Sequence, residues 1–369
     1  MHITLVISSL SCGGAERAAT LIAEGLIKRD HKVSLITIAG TEKDFYKVPD
    51  GVYRKVLNLA KDSPTLIHAL WHNLYRFFVL RQAVHSLQPN VVISFMYPTN
   101  VLTLLSLTKT AYPVIVSEQN DPTINPDEGW WGKLRRIVYP LADKVVSVSQ
   151  GVDIYFKWLP KSKRTIIYNP LQPIKDEKDK IILPQGADPN KKWAIAMGRL
   201  HYQKNFELLL SAFHKIVDKH PDWQLLIFGE GNLRLKLEDI VEKLGLKNQV
   251  LLPGITNVPI SIFKRSELFI LSSHFEGLPA VLFEALACGL PVVSTDCPSG
   301  PREIIRDGID GVLVPNEDVS SLAVAMDRLM SDDEERKRLA ERAPEGSSRF
   351  SLDVITEKWE ILLKEVIQP

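Results

Sequence analysis

Short apolar runs alternate with amphipathic stretches of helix length along this chain, and that alternation confines it to an α/β architecture. The clearest unit runs from Leu268 to Pro291. Residues 268–271 read as a strand buried on both faces, the mark of a parallel sheet. Glu276-Gly277-Leu278 makes a tight loop, and Gly277 lets backbone come close to a ligand. Pro279 is expected to open a helix at its first position, and Gly289 followed by Pro291 to close it. Glu276 then stands at the strand end and Glu284 inside the helix, with seven residues between them. In an open parallel sheet, ligands bind in the crevice beyond the strand C-termini. Two carboxylates so placed suit a ligand with two separate hydroxyl-bearing parts.

A chain of 369 residues exceeds one ordinary core, so two domains are expected. Lys and Arg number 45 against 44 Asp and Glu, which argues against a nucleic-acid binder relying on bulk charge. The cysteines, Cys12, Cys288 and Cys297, have no metal-ligand spacing and read as reduced thiols of a cytosolic protein. The first seven residues read as a strand rather than a signal peptide. No apolar run is long enough to cross a bilayer.

In the first half, strands are expected at 3–8, 33–38, 91–95, 114–117 and 145–149, and helices at 64–87 and 100–107. Ala18, Leu21, Ile22 and Leu26 have helical spacing after the turn Cys12-Gly13-Gly14. Such a Gly-rich turn at a helix N-terminus can offer N–H groups to an anion. The GxGxxG dinucleotide signature is missing, so NAD binding is not supported. Charge-rich residues 175–180 read as linker and surface. In the second half, strands are expected at 193–197, 225–228, 250–252, 292–295 and 310–315. Helices are expected at 206–217, 233–244, 319–330, 334–342 and 352–366. Arg199 and Lys204 lie in a loop between a strand end and a helix, where two cations can converge on one pyrophosphate. No Asp-x-Asp at a strand end points to a metal.

Glu276-x7-Glu284 with Gly277-Leu278-Pro279, Gly198-Arg199-Leu200 with Lys204-Asn205, and Gly13-Gly14-Ala15-Glu16-Arg17 together resemble the retaining glycosyltransferases of family 4. The resemblance covers nearly the whole chain. It implies the GT-B fold, two doubly wound Rossmann-like domains with a cleft between them. An N-terminal acceptor domain would span 1–170 and a nucleotide-sugar domain 171–350, with a terminal helix at 351–369 crossing back. It implies that Arg199 and Lys204 clamp the donor diphosphate, which makes a metal unnecessary. Glu276 would meet the donor sugar and Glu284 the ribose, with Gly14, Gly277, Leu278 and Pro279 nearby. Asn257 and Val258 match a position whose backbone pairs with the base. Arg17, Glu118, Gln119 and Asn120 fall at the acceptor side. Many members carry His near Gln119; a glutamine can bond a sugar but cannot act as a base near neutral pH.

The pattern is nearest to enzymes that extend polyprenyl-pyrophosphate-linked glycans, including N-acetylgalactosaminyltransferases. That implies a UDP-sugar donor, a lipid-linked glycan acceptor and a peripheral place on the inner face of the cytoplasmic membrane, with no separate cofactor. Trp130, Trp131, Lys133, Arg135 and Arg136 join interfacial aromatics to cations. His68, His72 and Arg76 share one face of the expected long helix, which also carries Arg81. A nucleotide-sugar epimerase on the same fold, or a transferase with a soluble acceptor, remain as alternatives. A non-catalytic glycan scaffold is disfavoured because both cations and both glutamates are intact.

Overall fold

The computed structural model describes residues 1–42, 44–59, 66–119, 122, 128–171 and 183–367; the side chains of 66–73 and 128–132 lie outside the description. The chain divides into two units, Met1–Pro170 with Phe350–Pro369, and Leu171–Arg349.

The first unit holds a seven-stranded sheet. Its strands are β1 (His2–Ile7), β2 (Lys32–Thr37), β3 (Tyr53–Val56), β4 (Val91–Phe95), β5 (Val114–Glu118), β6 (Lys144–Ser147) and β7 (Arg164–Ile166). All neighbours pair in parallel, in the order β3-β2-β1-β4-β5-β6-β7. Helices α1 (Gly14–Lys28), α2 (Leu66–Leu87), α3 (Tyr97–Leu107), α4 (Glu128–Val138) and α5 (Gln150–Tyr155) supply the crossovers. The central strands are buried along nearly their whole length, which is why they read as unbroken apolar runs.

The second unit holds a six-stranded parallel sheet in the order β10-β9-β8-β11-β12-β13. Its strands are β8 (Lys192–Met197), β9 (Trp223–Phe228), β10 (Val250–Gly254), β11 (Leu268–Leu271), β12 (Val292–Asp296) and β13 (Gly311–Pro315). Its helices are α6 (Phe206–His214), α7 (Arg234–Lys243), α8 (Pro259–Arg265), α9 (Ala280–Ala287), α10 (Pro301–Ile304), α11 (Val319–Ser331) and α12 (Asp333–Ser347).

The last helix, α13 (Leu352–Ile367), belongs to the first unit and buries Ile355, Trp359, Leu362 and Leu363 in that unit's core. It packs on α1, where Arg29 pairs with Asp353 at 2.9 Å and Glu360 at 3.1 Å.

Several boundaries depart from the sequence expectation. Pro279 is the N-cap of α9 rather than its first helical residue, a difference of one position. The expected helix 206–217 stops at His214, and a turn of 3-10 helix follows at Val217–Lys219. α3 starts at Tyr97, three residues before the expected start at Asn100. Residues 175–180 lie outside the described part.

Candidate active site

In each sheet the strand order reverses at one point, between β8 and β11 in the second unit. Such a switch point opens a crevice at the strand C-termini, because the crossovers on either side leave in opposite directions. The loop after β8 carries Arg199 and Lys204, and the loop after β11 carries Glu276. The fold therefore brings these three residues to the two lips of one crevice.

The loops are stitched together. Ser272 Oγ donates to Lys204 O at 2.9 Å, His274 N to Gln203 O at 2.9 Å, and Gln203 Nε2 to Phe275 O at 3.1 Å. Ser299 Oγ donates to Gly277 O at 3.1 Å, tying in the loop after β12. Lys204 lies along Gly198, where an added Cβ would sit 2.7 Å from Lys204 Cε. Gly229 has a φ of +137°, and a Cβ there would stand 1.9 Å from Gly198 O. The Gly229-Glu230-Gly231 turn is glycine-bearing because the β8 loop packs against its backbone.

Glu276 is only 5% exposed, so its carboxylate requires partners. Oε1 accepts from Lys204 Nζ at 2.6 Å and from Ser273 Oγ at 2.7 Å. Oε2 accepts from Gln203 Nε2 at 3.3 Å. Lys204 thus faces a carboxylate here, where the sequence assigned it to a diphosphate. Arg199 is exposed, and among the described residues its guanidinium makes no side-chain hydrogen bond or ion pair. Sequence reasoning missed Ser273 and Gln203; a serine three residues before a buried loop glutamate was the available signal.

Glu284 lies buried in α9, eight positions beyond Glu276. That helix ends in a Schellman motif. Gly289 N donates to Leu286 O at 3.0 Å and Leu290 N to Ala285 O at 2.9 Å, with Gly289 at φ +72°. Gly277, Leu278 and Pro279 are all buried in the loop between the two glutamates. Asn257 is exposed, while Val258 N donates to Thr256 Oγ1 at 3.1 Å just before α8. Burial pushes the thiols of Cys288 and Cys297 up to about 12, so neither is a nucleophile here. Among the described residues no cluster of His, Cys, Asp and Glu could hold a metal ion.

In the first unit the switch point lies between β1 and β4. Gly14 opens α1, and nothing lies within 4 Å of where its Cβ would be. At the turn expected to face an anion, Glu16 turns back over Gly13, where a Cβ would meet Glu16 Oε2 at 2.2 Å. The helix N-terminus is thus already faced by a carboxylate of its own first turn. Arg17, half-buried, follows one residue later.

Glu118 and Gln119, expected at the acceptor side, are buried and hydrogen-bonded within their own unit. Glu118 is 2% exposed and accepts hydrogen bonds from Tyr139 Oη and from Asn100 Nδ2 at 3.5 Å. Gln119 gives its amide to Ser117 Oγ at 2.9 Å and receives Asn169 Nδ2 at 2.8 Å. Asn120 lies outside the described residues.

The surface reading of Arg135 is also corrected. Arg135 is 5% exposed, with its Nε 3.7 Å from Glu118 Oε1 and its guanidinium 4.1 Å from the Tyr97 ring centre. Lys133 and Arg136 are exposed, and Arg136 lies over the Trp158 ring at 5.8 Å. Ile137 beside them is 71% exposed. The side chains of Trp130, Trp131, His68 and His72 lie outside the description. Arg76 Nε bonds Leu59 O at 2.9 Å, and Arg81 Nη1 bonds Ser106 O and Thr108 O, both at 3.3 Å. Both cations thus bond backbone carbonyls of their own unit.

The second unit thus carries Arg199 and the Lys204–Glu276 pair on the loops at its switch point, and comparison with known proteins supplies the class. Residues 177–346 match the family described as glycosyl transferases group 1, and residues 12–173 match glycosyltransferase family 4. The chain is 31% identical over 369 residues to a Campylobacter jejuni protein, covering 99% of each. That protein is named GalNAc-alpha-(1->4)-GalNAc-alpha-(1->3)-diNAcBac-PP-undecaprenol alpha-1,4-N-acetyl-D-galactosaminyltransferase. The present chain is also 27% identical to the amylovoran biosynthesis glycosyltransferase AmsD of Erwinia amylovora, over 95% of this chain and 96% of that one. The fold matches sucrose-phosphate synthase of Thermosynechococcus elongatus at a TM-score of 0.83, with 16% identity and 99% of each chain covered. The chain belongs to the group 1 glycosyltransferases, and its two units are those of the GT-B fold.

Proposed function

We propose that this protein is a retaining glycosyltransferase that moves a hexose or N-acetylhexosamine from a UDP-sugar to a lipid-linked glycan. The product would enter surface polysaccharide or glycoprotein glycan assembly. The observation that carries the donor reading is the Lys204–Glu276 contact across the β8/β11 switch point, with Arg199 exposed on the same loop as Lys204. Charge develops on the diphosphate as the sugar leaves, and fixed cations at that place lower the barrier. Glu276 orients the sugar, and Glu284 in α9 serves the ribose. The acceptor hydroxyl attacks the face from which the diphosphate departs, so the anomeric configuration is kept. Gln119 supplies no base, and the departing phosphate oxygen takes the acceptor's proton. Two cations acting on the diphosphate make a divalent ion unnecessary.

The lipid-linked acceptor is supported by the undecaprenol named for the Campylobacter relative. Among the described residues no helix is long and apolar enough to cross a membrane. A peripheral place on the inner face of the cytoplasmic membrane would use Lys133, Arg136 and the exposed Ile137 of α4, without Arg135.

The test is sugar transfer to a polyprenyl-diphosphate-linked oligosaccharide in anionic liposomes. Transfer should survive chelator, and Arg199→Ala should lose about 2–4 kcal/mol of transition-state stabilisation. Lys133→Glu with Arg136→Glu should release protein from the liposomes, each cation near such a surface being worth about 1 kcal/mol. Reversible loss of all transfer in chelator, or normal turnover in Arg199→Ala, would overturn the reading.

A further inference from the structure

The Glu276 carboxylate is nearly saturated in this structure. Each carboxylate oxygen offers two lone pairs. Oε1 already accepts from Lys204 and Ser273, and Oε2 from Gln203. A sugar hydroxyl therefore finds one acceptor position left, on Oε2. Lys204 is equally committed, since its side chain is 14% exposed and its ammonium lies 2.6 Å from Glu276. The same ammonium is the group that a diphosphate needs. Arg199, exposed on the same loop, is available from the start.

We infer that Lys204 is handed from Glu276 to the donor's diphosphate on binding, while Ser273 and Gln203 hold the released carboxylate for the sugar hydroxyls. This rests on the donor-site reading above and deepens it. The handover resolves both shortages together. A diphosphate carries more negative charge than one carboxylate and competes well for the ammonium. Once Lys204 turns away, Oε1 regains a lone pair beside the one already open on Oε2, and two sugar hydroxyls can be bonded. Glu276 then carries its charge with two neutral donors, both fixed independently of the ligand. Ser273 is fully buried, and its carbonyl accepts from Thr295 Oγ1 at 2.9 Å. Gln203 is held by the same amide's bond to Phe275 O at 3.1 Å. Ser273 and Gln203 are thus positioning residues acting through Glu276.

The arrangement makes Glu276 a competitor of the diphosphate, which a purely structural role would not. The experiment is titration calorimetry with UDP in chelator, beside steady-state transfer from a UDP-sugar. Glu276→Gln removes the competing charge, so UDP should bind about three- to ten-fold tighter while turnover falls. Lys204→Ala should weaken UDP, and the gain from Glu276→Gln should vanish in the Lys204→Ala background. Ser273→Ala tests the same arrangement without touching either charge: kcat should fall about ten-fold with UDP affinity held within about two-fold. Ser273→Thr, which keeps the hydroxyl, should recover most of that loss. UDP binding no tighter in Glu276→Gln, or a gain that persists without Lys204, would overturn the handover. An unchanged kcat in Ser273→Ala, or parallel losses of UDP affinity and kcat, would overturn the positioning role. A wild-type protein that binds no nucleoside diphosphate would overturn the donor-site reading and the handover with it.

Discussion

Arg135 and Arg136 are neighbours in sequence and have opposite surroundings, because a helix turns about 100° per residue. On α4 that turn carries Arg135 into the rings of Tyr97, Tyr139 and Tyr155 and toward Glu118, and carries Arg136 to the surface. Removing Arg135 takes away the cation 3.7 Å from the buried Glu118 carboxylate and the guanidinium packed on three tyrosine rings. Arg135→Ala should therefore cost about 3–5 kcal/mol of stability. Arg136→Ala should stay within about 0.5 kcal/mol. Denaturant midpoints of the two variants check this, and equal midpoints would contradict it. The loop positions of Arg199, Lys204 and Glu276 and the helical position of Glu284 were legible because each follows directly from a strand-loop-helix pattern. The facing of a side chain was not. Cations beside aromatics look alike in sequence whether they meet water or a buried carboxylate. The inward turn of Glu118 and Gln119 is also set by partners distant in sequence, Tyr139 and Asn169.

At the scale of elements, strands buried on both faces could be read from sequence, and residues 91–95 and 268–271 were placed to the residue. β3 was missed because Tyr53–Val56 is a half-exposed edge strand with two cations and no apolar run. The short helices α5, α8 and α10 were missed because one or two turns give too little periodicity. The contact of α13 with α1 had no local sign beyond the apolar stripe of α13, and it depends on Gly25. A Cβ on Gly25 would stand 2.1 Å from Thr356 Oγ1, whose hydroxyl donates to Leu352 O at 2.6 Å. Gly25→Ala should thus destabilise by about 1–2 kcal/mol, the overpacking cost exceeding the helix-propensity gain of about 1 kcal/mol. Combining it with Thr356→Ala removes the obstructing hydroxyl and should recover most of the loss. A Gly25→Ala protein that melts higher than wild type would show that the helices separate freely.

For the whole molecule, acid should act in two windows. His31 has its pKa lowered from 6.5 by burial first and by the N-terminal ammonium second, against the pull of Glu360 3.3 Å away. His2 is lowered by burial and then by Lys32. A histidine with a depressed folded pKa takes its proton first in the unfolded chain. Its neutral form supports the fold fully above the unfolded value, and stability falls as pH drops below about 6.5 toward the folded pKa. Asp327 is held below 3.8 by Lys219 and then His220, and Asp333 by Arg336 and then Lys192, so a second loss belongs below the ordinary carboxylate range. Urea midpoints between pH 7.5 and 5.5 should fall, and His31→Gln should flatten that slope; a rise on acidification would contradict the assignment. The central claim concerns the reaction. The most direct measurement follows a UDP-sugar by proton NMR, with and without a polyprenyl-diphosphate-linked oligosaccharide. The account predicts donor loss only when the acceptor is present, and a new glycosidic bond with the donor's anomeric configuration. An epimerised UDP-sugar formed without acceptor, or a product of inverted configuration, would contradict it.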